Sequence, residues 1–136
     1  MRRPEGRGVM SVRSYEGAIA FEVLSVAEDA AEGAMEIGPG ILNPFGTVHA
    51  GALVWFADVL ATRLALGEAE VTPGMESFPV AVTLNAQLLG NRRSGTLRAR
   101  ATWVKRGRRV STVRTLISDE DGKVLLDLTS THVSAR

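Results

Sequence analysis

The chain has 136 residues, which is the size of a single domain. Sixteen Lys and Arg residues are balanced by 15 Asp and Glu residues, so the net charge is too small to attract nucleic acid or an anionic membrane. The absence of cysteine excludes disulfides and thiolate nucleophiles, and two histidines disfavour a structural zinc site.

Residues 1–14 are rich in arginine and glycine, which predicts a flexible arm before one domain over residues 15–136. These residues lack the apolar core of a secretory signal, and no apolar run in the chain reaches the roughly 20 residues of a membrane span. We therefore expect a cytoplasmic protein.

Two short apolar runs, 19–26 and 34–38, predict an antiparallel pair of strands joined by the polar stretch 27–33. Residues 38–46 contain two prolines and three glycines, which indicates a loop. Residues 48–66 are apolar without alternation and too long for an ordinary strand, so they predict a helix that ends at Gly67.

The helix carries apolar residues around its whole circumference, so we expect it to be buried on nearly all sides by a sheet. Residues 80–89, 96–106, 109–118 and 123–134 predict four long strands joined by hairpins. This order predicts an α+β fold, in which a curved antiparallel sheet surrounds one long helix.

Asp58 is the only charged residue between positions 50 and 62, and no cation lies one helical turn away from it. Burial of an unpaired carboxylate is unfavourable unless hydrogen bonds, a partner across an interface or a function compensates for it. Asp58 is therefore either a structural cap for a neighbouring loop or a catalytic carboxylate.

The segment before this helix brings an amide side chain, glycines and an imidazole to the helix N-terminus, in Asn43, Gly46, His49 and Gly51. Free N–H groups at a helix N-terminus can hold a developing oxyanion. Singly, Asn43 is typical of a turn, and His49 is typical of a histidine that fastens a loop. Their proximity in sequence to Asp58 favours a catalytic site.

The motif Asn43-Pro-Phe-Gly-Thr-Val-His-Ala-Gly51, followed by Ala57-Asp58, resembles that of hotdog-fold acyl-CoA thioesterases of the phenylacetate-degradation and hydroxybenzoyl-CoA type. The resemblance covers about residues 15–134 and includes the segment Val82-Thr-Leu-Asn85. It implies a hotdog fold and hydrolysis of an aromatic or medium-chain acyl-CoA. It implies no metal and no cofactor, since coenzyme A is part of the substrate.

The resemblance also implies a role for each residue of the motif. Asp58 serves as general base or nucleophile, and the N–H of Ala50 polarises the thioester carbonyl. Asn43 and His49 orient the carbonyl or the water. The active sites lie at the interface of a homodimer, or of a dimer of dimers that forms a homotetramer.

Two positions depart from the family's pattern. The family usually has glycine where this chain has Ala50, and it often has a hydroxyl where this chain has Ala81. The hydroxyl role passes to Thr62 or Thr83, or is vacant. Two alternatives therefore stay open: a non-catalytic acyl-CoA-binding module, and an enoyl-CoA hydratase or dehydratase that uses a histidine and an acid for proton transfer.

Two clusters of arginines stand at predicted strand ends, Arg92 and Arg93 in one and Arg106, Arg108 and Arg109 in the other. Arginine binds phosphates bidentately, and in the family the CoA nucleotide lies near such loops, so we expect these arginines and Gly51 to bind CoA. Solvated hairpin tips are the alternative. The strands offer only Trp103 for base stacking, so nucleic acid is not an expected partner.

Apolar residues of the helix and sheet, among them Val54, Trp55 and Phe78, are expected to line the acyl pocket. His132 on the last strand is expected to be structural.

Overall fold

A computed structural model describes residues 12–67, 72–75 and 77–134. Most of the predicted arm 1–14 lies outside these residues, as does part of the connection after Gly67. In chain order the elements are β1 (Glu22–Val26), β2 (Ala30–Glu36), a one-turn 3-10 helix (Pro39–Ile41), α1 (Ala50–Leu66), β3 (Pro79–Leu88), β4 (Thr96–Lys105), β5 (Val110–Ser118) and β6 (Val124–Ser134).

The six strands form one antiparallel sheet in the order β1-β2-β4-β5-β6-β3, and α1 packs against it. The predicted fold class is confirmed. The four long strands begin and end within one residue of their predicted bounds.

The start of β2 differs from the prediction, because β2 begins at Ala30 and not at residue 34. Ala30 and Ala31 are buried, and Gly33 lies so close to the core that an added Cβ would stand 3.0 Å from Cε1 of Phe56. Small residues have low intrinsic strand propensity, so burial against the helix decides the conformation here. The predicted connection 27–33 is therefore too long.

The helix begins at Ala50, two residues later than predicted, because His49 is its N-cap. The Gly51 N–H donates to His49 Nδ1 at 3.0 Å, and Val48 instead forms an isolated β-bridge with Leu42. Gly67 ends the helix with a φ of +82°, a conformation that glycine adopts without strain. None of the helices within the described residues is long and apolar enough to cross a membrane.

One side of α1 is buried against the sheet, and the opposite side is not covered. The buried side carries Leu53, Phe56, Leu60 and Leu64, each at most 2% exposed. The uncovered side carries Trp55, 47% exposed, and a row of exposed or half-buried residues at the spacing of one helical turn: Gly51, Asp58, Thr62 and Leu66. The expected burial on nearly all sides therefore does not occur within a single chain.

Strand β3 lies at the edge of the sheet and pairs only with β6. Its apolar side chains Val80, Val82, Leu84 and Leu88 are 46–56% exposed. An exposed apolar edge strand offers unpaired backbone groups to another strand. The edge at β3 therefore has the properties of an interface.

Candidate active site

The loop before α1 is held in shape by Asn43. Its Oδ1 accepts hydrogen bonds from the N–H groups of Phe45 and Thr47 at 2.9 and 3.2 Å, and its Nδ2 donates to Thr47 Oγ1 at 2.8 Å. Both atoms of the Asn43 amide are thus engaged in the loop, as expected for a turn residue. The role of Asn43 in orienting a substrate stays a prediction.

Asn91, which follows β3, holds the residue immediately before the helix cap. Its Oδ1 accepts from the N–H of Val48 at 3.0 Å, and its Nδ2 donates to the carbonyl oxygen of Val48 at 2.8 Å. Val48 is completely buried, so its N–H and its carbonyl oxygen both depend on the Asn91 side chain for a hydrogen bond. Sequence reasoning missed Asn91, because an Asn after a strand is also typical of a simple turn.

Asn91→Ala is expected to lower the free energy of unfolding by about 1–3 kcal/mol, because it leaves buried backbone groups of Val48 unpaired. It should also lower kcat/KM of the reaction at this site beyond the loss of folded protein, since the loop carrying His49 loosens. Urea unfolding and initial rates measure the two effects. Ser94→Ala, an exposed change in the same connection, is the control. Equal stability and activity in Asn91→Ala and the parent would contradict this positioning role.

The helix N-terminus presents one uncommitted amide at its first residue. The Gly51 N–H is bonded to His49, whereas no acceptor among the described residues bonds the Ala50 N–H. The helix dipole makes such an N–H a favourable donor to an anion. A cleft of about 670 Å³ opens beside it, lined by Asn43, His49, Gly51 and Trp55 together with residues 14–19.

Asp58 lies in a second cavity, of about 440 Å³, which it shares with Thr62, Arg63, Ala81 and apolar residues including Phe78. Its Oδ1 is buried, and no hydrogen-bond partner for it exists among the described residues. Burial raises the pKa of the Asp58 carboxyl above its ordinary value, and the positive potential of His132 partly offsets this. A carboxyl with a raised pKa inside a cavity is a candidate functional group.

The two parts of the predicted site lie apart within one chain. Asn43, His49 and Ala50 stand at the start of α1, whereas Asp58 stands at its middle and Thr62 one turn later. Nine residues of helix correspond to about 13 Å between His49 and Asp58, and the two residues line different cavities. One chain therefore brings the oxyanion donor and the carboxylate to separate places.

The residues expected around the acyl group are divided in the same way. Phe78 lines the Asp58 cavity. Trp55 lines the cleft at the helix N-terminus and packs edge-on against Phe21, with ring centroids 5.0 Å apart. Val54 packs against the core.

The first pair of arginines is engaged within the chain. The Nη1 atom of Arg92 donates to Asp119 at 2.9 Å and to Asp121 at 3.1 Å. Arg93 donates from Nη1 to the carbonyl oxygen of Phe45 at 2.8 Å, which places it against the loop before α1. Arg93 is therefore the arginine next to the helix N-terminal cleft.

The second group of arginines lies at the other end of β4. Arg106 stacks over Trp103 at 4.9 Å and lies 3.8 Å from the carboxylate of Glu28, while Arg108 and Arg109 are exposed in the β4–β5 hairpin. The ten residues of β4 separate the two groups by about 30 Å. A single chain does not join them into one phosphate site, and their roles in CoA binding stay predictions.

The candidate functional groups of the two cavities are the Asp58 carboxylate, the Ala50 N–H at the helix N-terminus and the His49 imidazole. Within residues 12–67, 72–75 and 77–134, no three His, Cys, Asp or Glu side chains come together in a way that could hold a metal ion. A base or nucleophile and an oxyanion donor match the needs of acyl transfer from a thioester.

Comparison with known proteins decides the family. The profile of the Thioesterase superfamily matches residues 45–126, a range that contains the helix N-terminus, Asp58 and most of the sheet. The chain belongs to the thioesterase superfamily. It is a thioester hydrolase of the hotdog fold.

Individual relatives agree with this assignment. A Haemophilus influenzae protein named "Putative esterase" is 30% identical over 109 residues, which are 78% of this chain and 74% of the relative. A crystal structure of a Haemophilus influenzae thioesterase (EC 3.1.2.-) superposes with a TM-score of 0.76 at 26% identity, covering 85% of this thioesterase and 78% of the other chain. A hypothetical thioesterase of Streptococcus pneumoniae, solved with coenzyme A, has a TM-score of 0.74 at 15% identity over 85% and 86% of the chains, which shows likeness of fold alone.

Proposed function

We propose that this thioesterase hydrolyses acyl-CoA, with Asp58 as general base or nucleophile. The observation that carries the proposal is the position of Asp58, half-buried in a largely apolar cavity with one oxygen to which no described residue donates a hydrogen bond. Because its pKa is raised, the ionised carboxylate is a stronger base than an ordinary aspartate. The coenzyme A held by the Streptococcus pneumoniae relative supports CoA as the thiol component.

In the base mechanism, Asp58 accepts a proton from water as the water oxygen bonds to the thioester carbonyl carbon. The Ala50 N–H stabilises the resulting oxyanion. The C–S bond then breaks, and CoA leaves as a thiolate, which needs little help from an acid. In the nucleophile mechanism, the Asp58 carboxylate itself bonds to the carbonyl carbon, and the C–S bond breaks as CoA leaves as a thiolate. Water then hydrolyses the mixed anhydride, which releases the carboxylic acid and restores the Asp58 carboxylate. A positioned base contributes roughly 10²–10⁴-fold, and one oxyanion donor about 3 kcal/mol.

The acyl group is proposed to enter the Asp58 cavity. Phe78, Val59 and Leu66 give the wall of this cavity an apolar surface. A space of about 440 Å³ suits an aromatic ring or a medium-length alkyl chain. Arg93 and the exposed Arg108 and Arg109 are proposed to bind the phosphates of CoA.

We infer that two copies pair along β3 and that each active site draws on both. Three observations support this: the exposed apolar edge of β3, the uncovered side of α1, and the separation of the two half-sites along the helix. In this proposal the two-fold axis lies near β3, and the helix N-terminus of the second copy completes the Asp58 cavity. A dimer of dimers, a cytoplasmic location and the absence of nucleic-acid and membrane partners stay predictions.

The reaction is tested by measuring free thiol released from phenylacetyl-, benzoyl-, hexanoyl- and palmitoyl-CoA by the purified protein. We expect turnover of at least one of the first three, because the cavity is apolar and of limited size. CoA binding without thiol release from any substrate would favour a binding module and contradict the proposal. Loss of enoyl absorbance from crotonyl-CoA without thiol release would indicate a hydratase instead.

A further inference from the structure

His132 is a buried histidine to which the reaction proposed above assigns no part. It lies on β6 among the residues that alternate toward α1, and it is 1% exposed. Its Nε2 and the Oγ of Ser130 are 2.8 Å apart, which fixes the ring. Its Nδ1 is buried, and no described atom meets the geometry of a hydrogen bond to it, although the backbone carbonyl of Pro79 is near enough to act on the ring.

The position of His132 in the sheet brings it next to the wall of the Asp58 cavity. Its cross-strand partner on β3 is Ala81, which lines that cavity together with Asp58. The side chain of Ala81 is a single methyl group, so it fills little of the space between β3, β6 and α1. The imidazole and the carboxylate therefore belong to the same region of the interior.

The unpaired atoms of the two residues are chemically complementary. Asp58 Oδ1 is an acceptor, and a buried polar atom without a partner is unfavourable. When the Ser130 hydroxyl donates to Nε2, the neutral ring carries its proton on Nδ1, so His132 has a donor of the matching type. The two atoms are not hydrogen-bonded to each other, so the imidazole acts on the carboxylate through space. A protonated ring offers the same donor with a positive charge. Either form of His132 stabilises an ionised Asp58 more than a protonated one.

We propose that His132 is a positioning residue for Asp58: Ser130 orients the imidazole, and the imidazole maintains the ionised carboxylate that the hydrolysis requires. The proposal rests on the function proposed for Asp58 and adds a partner to it. It replaces the expectation that His132 is merely structural.

The electrostatics of the pair agree with this role. Burial lowers the pKa of His132, while the charge of Asp58 and the backbone carbonyl of Pro79 raise it. Burial raises the pKa of Asp58, and His132 lowers it. Among the other ionisable groups on the elements that pack around Asp58 and His132, Arg63 of α1 also lines the Asp58 cavity. Strand β3 has no ionisable residue, and Arg114 of β5 pairs with Asp127 of β6 on the exposed side of the sheet.

The first test uses NMR and needs no catalysis. The chain has only two histidines, so the ring signals of His132 can be assigned with the variant His49→Ala. In Asp58→Asn, loss of the neighbouring carboxylate should shift the titration of His132 to lower pH. An unchanged His132 titration would overturn the proposal whether or not the protein hydrolyses thioesters.

The second test uses the pH dependence of kcat/KM in His132→Gln. Without the imidazole, Asp58 should ionise at higher pH, so the loss of activity should be greater at acid than at alkaline pH, by on the order of tenfold. Thr129→Ser, on the other side of the same strand, is the control. Ser130→Ala keeps the imidazole but removes the hydrogen bond that orients it, so it should show a smaller loss of activity with the same dependence on pH. If His132→Gln fails to fold, Ser130→Ala serves as the test.

A loss equal at all pH values would indicate a structural role and overturn the proposal. Absence of thiol release by the parent would overturn the proposed function but leave the NMR test standing.

Discussion

Asp58→Asn is expected to lower kcat for thioester hydrolysis by about 10²–10⁴-fold, the usual contribution of a positioned base. The substitution keeps the size of the side chain and removes only its capacity to take up a proton or attack the carbonyl carbon. Thiol release from the best acyl-CoA measures the effect. Asp127→Asn is the matched control, because Asp127 pairs with Arg114 away from both cavities. Equal rates in Asp58→Asn and the parent would remove Asp58 from the mechanism.

The same substitution is expected to stabilise the folded protein at neutral and alkaline pH. Since burial raises the pKa of Asp58 in the folded state, its contribution to stability is full below the unfolded pKa and declines as pH rises through the folded value. Asparagine does not ionise, so the advantage of the variant should grow over that range and vanish in acid. Asp127→Asn should instead destabilise the folded protein at neutral and alkaline pH, because the hydrogen bonds from Arg114 lower the pKa of Asp127. Urea unfolding across pH measures both. A variant Asp58→Asn less stable than the parent at alkaline pH would show that the carboxylate has strong favourable contacts.

Subunits carrying His49→Ala and Asp58→Asn are expected to be nearly inactive alone and active when paired. If each site takes its helix N-terminus from one copy and its carboxylate from the other, a mixed dimer has one intact site and one doubly altered site. Its specific activity should therefore be about half that of the parent. Co-expression with two different tags, followed by purification on both, isolates the mixed species.

The outcome separates two arrangements of the site. If His49 and Asp58 acted within one chain, every subunit of the mixed dimer would have a defect, and no activity would return. Dimers of each single variant, purified in the same way, are the controls. A protein that stays monomeric at the concentrations of the assay and still hydrolyses acyl-CoA would contradict the shared site.

The elements with a strong and long apolar pattern were predictable from the sequence. Helix α1 and the four long strands have such patterns, and their observed bounds lie close to the predicted ones. The start of β2 was not predictable, because Ala30, Ala31 and Gly33 have little strand propensity and are placed by packing against Phe56. The burial of α1 was overestimated because the pattern of one chain does not tell whether the same chain or a second copy covers an apolar surface.

The sequence indicates candidate residues for the site but not how they are arranged in space. The motif around His49 and the isolated charge of Asp58 are visible in sequence, since both interrupt an otherwise simple pattern. The contacts that position them come from distant segments: Asn91 reaches Val48 across 43 residues of chain. His132, on the last strand, lowers the pKa of Asp58 from a distant part of the sequence. Such long-range effects leave no local signature, because an Asn in a loop and a His in a strand fit many environments.

The uninterrupted helix between His49 and Asp58 has a consequence for how this protein can change over evolutionary time. One inserted or deleted residue there would rotate Asp58 by about 100° around the helix axis, from the uncovered side toward the sheet. Side chains along this stretch can be exchanged while the geometry persists, but its length cannot vary. We therefore expect insertions and deletions to be tolerated better at the hairpin tips and in the connection after Gly67, because the spacing between His49 and Asp58 does not depend on the length of those segments.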